Sequence, residues 1–158
     1  MNAVATIHIV SAVVALAAGA LVFLLPKGTG SHRVLGRVYV VAMLVLNLTA
    51  LMIFRLFGTF GPFHAAALFS LATVVPAFLT AYFRRPGWLE RHYFLMSFSY
   101  VGLLSATAAE AATRLPRAPF WGAVALSSLL VLAAGAWLVF ARAKRALAPF
   151  RAKEKHGA

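Results

Sequence analysis

Five apolar runs, each about as long as a bilayer core is thick, dominate this chain. Roughly 20 mostly apolar residues carry a helix across the hydrocarbon. The first run, about 3–25, has no charge and ends at Pro26-Lys27-Gly28. The second spans about 34–57 and is followed by a turn from Gly58 to Pro62. The third, 63–83, stops at Arg84-Arg85-Pro86-Gly87; the fourth, 91–113, ends before Pro116; the fifth covers 120–141. Backbone groups in lipid must be bonded within the segment, which leaves helices for runs of this kind. Strand alternation and internal repeats are absent from the pattern. The sequence therefore predicts an all-α polytopic membrane bundle of five transmembrane helices over 1–141, followed by a basic tail, 142–158.

Composition excludes the competing classes. Only 11% of residues are charged and 63% are apolar, against about 25% and 45–50% in soluble domains. A soluble or disordered chain is excluded. Composition argues against a nucleic-acid role too, because a basic patch needs a polar surface to sit on. The net charge of +12 is read instead as topology. Alternating the helix ends puts twelve basic residues on one side and three (Arg55, Arg114, Arg117) on the other. Basic loops stay cytoplasmic, so the C-terminus is expected inside and the N-terminus outside. The tail is expected to lie against anionic lipids. No positive residue precedes the first run, so it is expected to remain a span. The absence of Cys excludes disulfides, Fe–S clusters and covalently attached haem.

Ionisable groups within spans are costly and mark function. Four histidines fall one per helix across the first four spans. His8 and His64 lie near the outer ends of helices one and three. His32 and His92 lie near the inner ends of helices two and four. Alternate helices of an up-down bundle face each other diagonally. His8 with His64 and His32 with His92 would then form two imidazole pairs, one per layer. Paired imidazoles on two helices are how a b-type haem is clamped. Two haems would give an electron path across the bilayer. The alternative is interfacial histidines with no cofactor at all.

On helix four, His92 and Glu110 are 18 residues apart, five full turns and about 27 Å along one face. Met96, Ser99, Leu103 and either Ala106 or Thr107 lie between them, a stripe expected to face the interior. Glu110 then shares the outer layer with His8 and His64, a donor set suited to zinc or iron, or to a proton. The competing reading pairs Glu110 with Arg114 one turn on. Glu90 and Glu154 read as solvated acids.

Asn47 near mid-span is expected to join helices by a hydrogen bond. Arg55 is expected to snorkel or to meet Glu110. Ser11, Ala15 and Gly19 form a close-packing stripe, Pro76 should kink helix three, and helix five looks peripheral to any site. The loop Lys27 to Tyr39 gathers Gly, His32 and the cations Lys27, Arg33 and Arg37, which suit an anionic headgroup, a haem propionate or a quinone head. It lacks the pattern of a phosphate-binding P-loop.

H-R-x-x-G-R-x-Y at His32 to Tyr39, with the early His8 and with His92 followed by Met96 and Ser99-Tyr100, resembles an uncharacterised family of small bacterial polytopic membrane proteins. The resemblance runs through helix four and implies a bacterial inner-membrane protein without an assigned activity. More loosely, the chain resembles cytochrome b561-like and ferric-reductase-like haem bundles. Here the histidines lie nearer the helix ends, one per helix.

Three functions follow as expectations: a b-type haem redox protein; a metal or proton site at His8, His64 and Glu110, serving a metalloenzyme or transporter; and a non-catalytic subunit of a larger membrane complex or homo-oligomer. No nucleophile–base pair or nucleotide loop points to a soluble-type enzyme.

Overall fold

The structure is a computed structural model and describes residues 3–54, 58–116 and 119–156, with side chains as far as residue 150. Five helices, α1 (Ala3–Leu24), α2 (Gly30–Leu51), α3 (Pro62–Phe83), α4 (Trp88–Ala112) and α5 (Phe120–His156), make it up. Each is long and apolar enough to cross a membrane. No strand occurs among the described residues. Arg55 and Arg117, two of the three basic residues expected outside, lie beyond the described residues. The chain divides into two units, Met1–Val75 and Pro76–Ala158.

In the first unit α1 packs on α2. Its buried residues are Ser11, Ala15, Ala18 and Gly19. These small side chains let the helix backbones approach closely. α2 starts four residues before the predicted Val34. The reason is Thr29, which is extended at φ −74° and ψ 167° and whose Oγ1 accepts the His32 amide at 3.3 Å. Such a cap satisfies a donor that the first helical turn leaves orphaned. α2 also stops at Leu51, short of the predicted 57. Met52, Ile53 and Phe54 beyond it are apolar, but Phe54 packs on the ring of His64 rather than extending a helix. α3 opens on Pro62, where a missing amide costs nothing. It remains helical through Pro76 to Phe83.

In the second unit α4 packs along α5. Gly87, left-handed at φ +71°, turns the chain into α4, three residues before the predicted start. Gly135 of α5 sits so close to α4 that an added Cβ would overlap the side chain of Val101. Tyr93 donates its hydroxyl to the Val139 carbonyl at 2.9 Å. Phe140 meets the rings of Phe94 and Phe98 at 5.5 and 5.9 Å. Contrary to the predicted end at Ala141, α5 continues for 37 residues in all. Val139, Ala143 and Leu147, one turn apart, are buried along it. The first part of the basic tail is thus an extension of the fifth helix.

The faces left over are oily. Val13, Val41, Phe69, Leu129 and Trp137 are among many exposed large apolar residues. Apolar exposure on this scale suits a lipid solvent rather than water.

Candidate functional site

His8, Thr49 and His64 of the first unit lie at one end of it. His8 of α1 faces α2 through Nδ1, 3.2 Å from the Leu46 carbonyl oxygen and 3.1 Å from Thr49 Oγ1. A carbonyl only accepts, so Nδ1 carries the proton and Nε2 keeps its lone pair. Thr49 is held in turn by its own bonds to the Val45 and Leu46 carbonyls. His64 has the opposite arrangement. Its Nδ1 accepts the Gly61 amide at 3.1 Å. The proton of the neutral ring therefore lies on Nε2. That atom is buried without a hydrogen-bond partner among the described residues, on a side chain only 4% exposed. Phe54 and Phe60 flank the ring at 4.7 and 5.2 Å.

His8 and His64 thus lie at the same end of this unit, since α1 begins where α2 ends and Phe54, just beyond α2, covers His64. They present different atoms there, a lone pair on one and an N–H on the other. Asn47 joins the group as the expected helix tie. Its Nδ2 donates to Met43 O at 2.8 Å and across to Ser70 Oγ of α3 at 3.0 Å.

His92, in the second unit, repeats the chemistry of His8. Its Nδ1 lies 2.9 Å from the carbonyl oxygen of Ala77 on α3, so the proton is on Nδ1 and Nε2 is the acceptor. His32 is part of the first turn of α2 in the first unit.

Glu110 differs from the interior acid expected of it. It is exposed and ion-paired with Arg114, i to i+4. Its stripe is interior only in part: Ser99 and Leu103 are buried, whereas Ala106 and Thr107 face outward with Glu110. The reason is that α4 ends two residues later, at Ala112, where a carboxylate and a guanidinium meet in the open. His8 and His64 belong to the first unit and Glu110 to the second. Among the described residues no three of His, Asp and Glu come together as a group that could hold a metal ion. The expected contact of Arg55 with Glu110 lies outside the described residues.

Of the three cations expected to hold a headgroup, Arg33 and Arg37 are exposed one turn apart on α2. Lys27 is engaged elsewhere. Its Nζ donates to the Val22 and Phe23 carbonyls at 2.6 and 3.0 Å, capping the orphaned end of α1. Burial lowers the pKa of its ammonium below the ordinary lysine value. Arg37 lines a shallow apolar groove of about 400 Å³ together with Ser11, Val14, Val41 and Val45.

Sequence reasoning passed over Thr49 and the Phe54–Phe60 cover of His64. A hydroxyl inside an apolar span was a visible signal for the first. Nothing in the pattern separates aromatic residues that cover a histidine from aromatic residues that face lipid.

A family model described as "Predicted membrane protein (DUF2306)" matches residues 5–148. The chain belongs to the DUF2306 family. The expected kinship with an uncharacterised membrane protein family is thereby met. The DUF2306 match reaches all five helices, α5 as far as residue 148, and includes His8, His32, His64, His92 and Glu110. The family description agrees with the five spans: this is a multi-pass membrane protein whose outer faces contact the bilayer. No curated protein and no solved structure matches the chain.

Proposed function

We propose that this DUF2306 protein is a bacterial inner-membrane redox protein carrying b-type haem, with His8 and His92 each an iron ligand in its own unit. The observation that carries this reading is the shared setting of the two imidazoles. Each gives its Nδ1 proton to a backbone carbonyl of another helix, Leu46 for His8 and Ala77 for His92. In histidine-ligated metal centres generally, a hydrogen bond from the other ring nitrogen fixes the tautomer and aims Nε2 at the metal. A site with one imidazole suits haem better than zinc: Glu110 is held by Arg114, and among the described residues no group of three His, Asp or Glu side chains assembles. Bound haem supplies one-electron chemistry at iron.

The remaining work belongs to the chain. Leu46, Thr49 and Ala77 orient the rings. In its present tautomer His64 is a donor rather than a ligand: its Nε2–H offers a buried hydrogen bond to an oxygen acceptor. A clamp of His8 with His64 would need His64 to move its proton to Nδ1 and release the Gly61 amide.

The test is the visible spectrum of protein purified from a haem-replete host. The reading requires a Soret band that shifts on reduction, and a loss of haem in His8→Ala and His92→Ala that is greatest in the double variant. A colourless wild-type protein, or a double variant with full haem content, would overturn it.

A further inference from the structure

Apart from the imidazoles, the second unit has a groove of about 300 Å³ where α3 ends and α4 begins. One wall is apolar and comes from α3: Pro76, Leu79 and Phe83. The other end is cationic, with Arg85 from the turn and Arg91 from the first turn of α4. Trp88 lies between the two arginines in sequence and lines the groove with them. The guanidinium of Arg84 lies 5.7 Å from the Trp88 ring. The turn is shaped for this: Arg84 and Gly87 both take left-handed backbone angles, φ +47° and φ +71°. Within residues 84–91 there are three arginines and one carboxylate, the exposed Glu90.

We propose that this groove binds an anionic phospholipid, its phosphate between Arg85 and Arg91 and an acyl chain along Leu79 and Phe83. Charge complementarity selects an anion. Leu79 and Phe83 are exposed on the oily surface of the helix, so the apolar wall is open to the bilayer and favours a lipid over a free anion. Tryptophan at the edge of a span sits at headgroup level. The site shares no residue with the proposed iron ligands, so its test stands apart from the spectrum.

The experiment is native mass spectrometry of the full chain in neutral detergent. Phosphatidylglycerol and phosphatidylcholine of identical acyl chains are the lipid probes, and glycerol phosphate is the soluble headgroup probe. Wild type should retain phosphatidylglycerol selectively, and Arg85→Gln with Arg91→Gln should weaken that retention about tenfold. Arg114→Gln, at the far end of α4, should leave it unchanged. A second variant, Leu79→Asn, should weaken lipid binding while both arginines remain. The proposal fails if the Arg85/Arg91 pair variant keeps wild-type selectivity, or if Arg114→Gln loses as much. It also fails if glycerol phosphate displaces the lipid at equal concentration, which would mark a plain anion site.

Discussion

His92 gives its Nδ1 proton to the carbonyl oxygen of Ala77, 2.9 Å away on the preceding helix. The same oxygen accepts the Thr80 hydroxyl at 2.8 Å. His8 makes the corresponding bond to Leu46 in the other unit, whereas His64 accepts a backbone amide at Nδ1 instead. Nitrogen-15 spectra of histidine-labelled protein should therefore show Nδ1-protonated rings for His8 and His92 and an Nε2-protonated ring for His64. An Nδ1–H signal assigned to His64 by its loss in His64→Gln would contradict the geometry. On haem loading, the His8 and His92 Nε2 signals should be the ones that move.

The His8 bond ties α1 to α2. Interhelical hydrogen bonds within membranes contribute about 0.6 kcal/mol on average and up to about 1.7. His8→Leu is expected to cost about that much in reversible unfolding from mixed micelles. Thr49→Val should cost less, because the Leu46 carbonyl still accepts the imidazole proton.

Gly135 and Val101 set the distance between α5 and α4. Gly135→Leu forces a side chain into the space of Val101 and should destabilise the second unit by about 1–3 kcal/mol, the usual cost of overpacking. Val101→Ala in the same chain should recover part of the loss. Thermal denaturation of the two single variants and the double variant measures both effects, and strict additivity would argue against the contact.

The Glu110–Arg114 pair lies in the open. Exposed i to i+4 pairs are worth under about 0.5 kcal/mol. Glu110→Gln should therefore change stability by no more than that and leave haem content at the wild-type level. A large fall in bound haem or metal would return Glu110 to the site.

The chain has no cysteine, so single introduced cysteines report topology cleanly. With the C-terminus inside, Thr29→Cys should react with an impermeant thiol reagent only in opened cells, and Thr59→Cys in intact ones. The reverse pattern would invert the orientation drawn from the basic residues.

The five spans were legible in the sequence because length and apolarity are what a bilayer demands, and Ser11, Ala15 and Gly19 revealed the face of α1 that packs on α2. Helix ends were less legible. Thr29 adds a turn to α2 through a cap that hydropathy does not register, and Phe54 is as apolar as any lipid-facing residue yet covers His64. The stripe from His92 to Glu110 was drawn on periodicity alone. Periodicity places residues on one face of a helix but does not say how far along that face the neighbours reach. Ring tautomers were not legible at all, because they depend on carbonyl oxygens that another part of the backbone supplies.

The unbroken course of α5 has a mechanical meaning. A helix of 37 residues is about 56 Å long, nearly twice the roughly 30 Å thickness of the hydrocarbon. Its basic end is therefore no slack tether. It is one arm of a continuous helix, with Pro149 near its end, whose other arm is keyed to α4 at Gly135. A force on the charged arm, from a membrane surface or a docking protein, would be delivered as torque to the helix that carries His92.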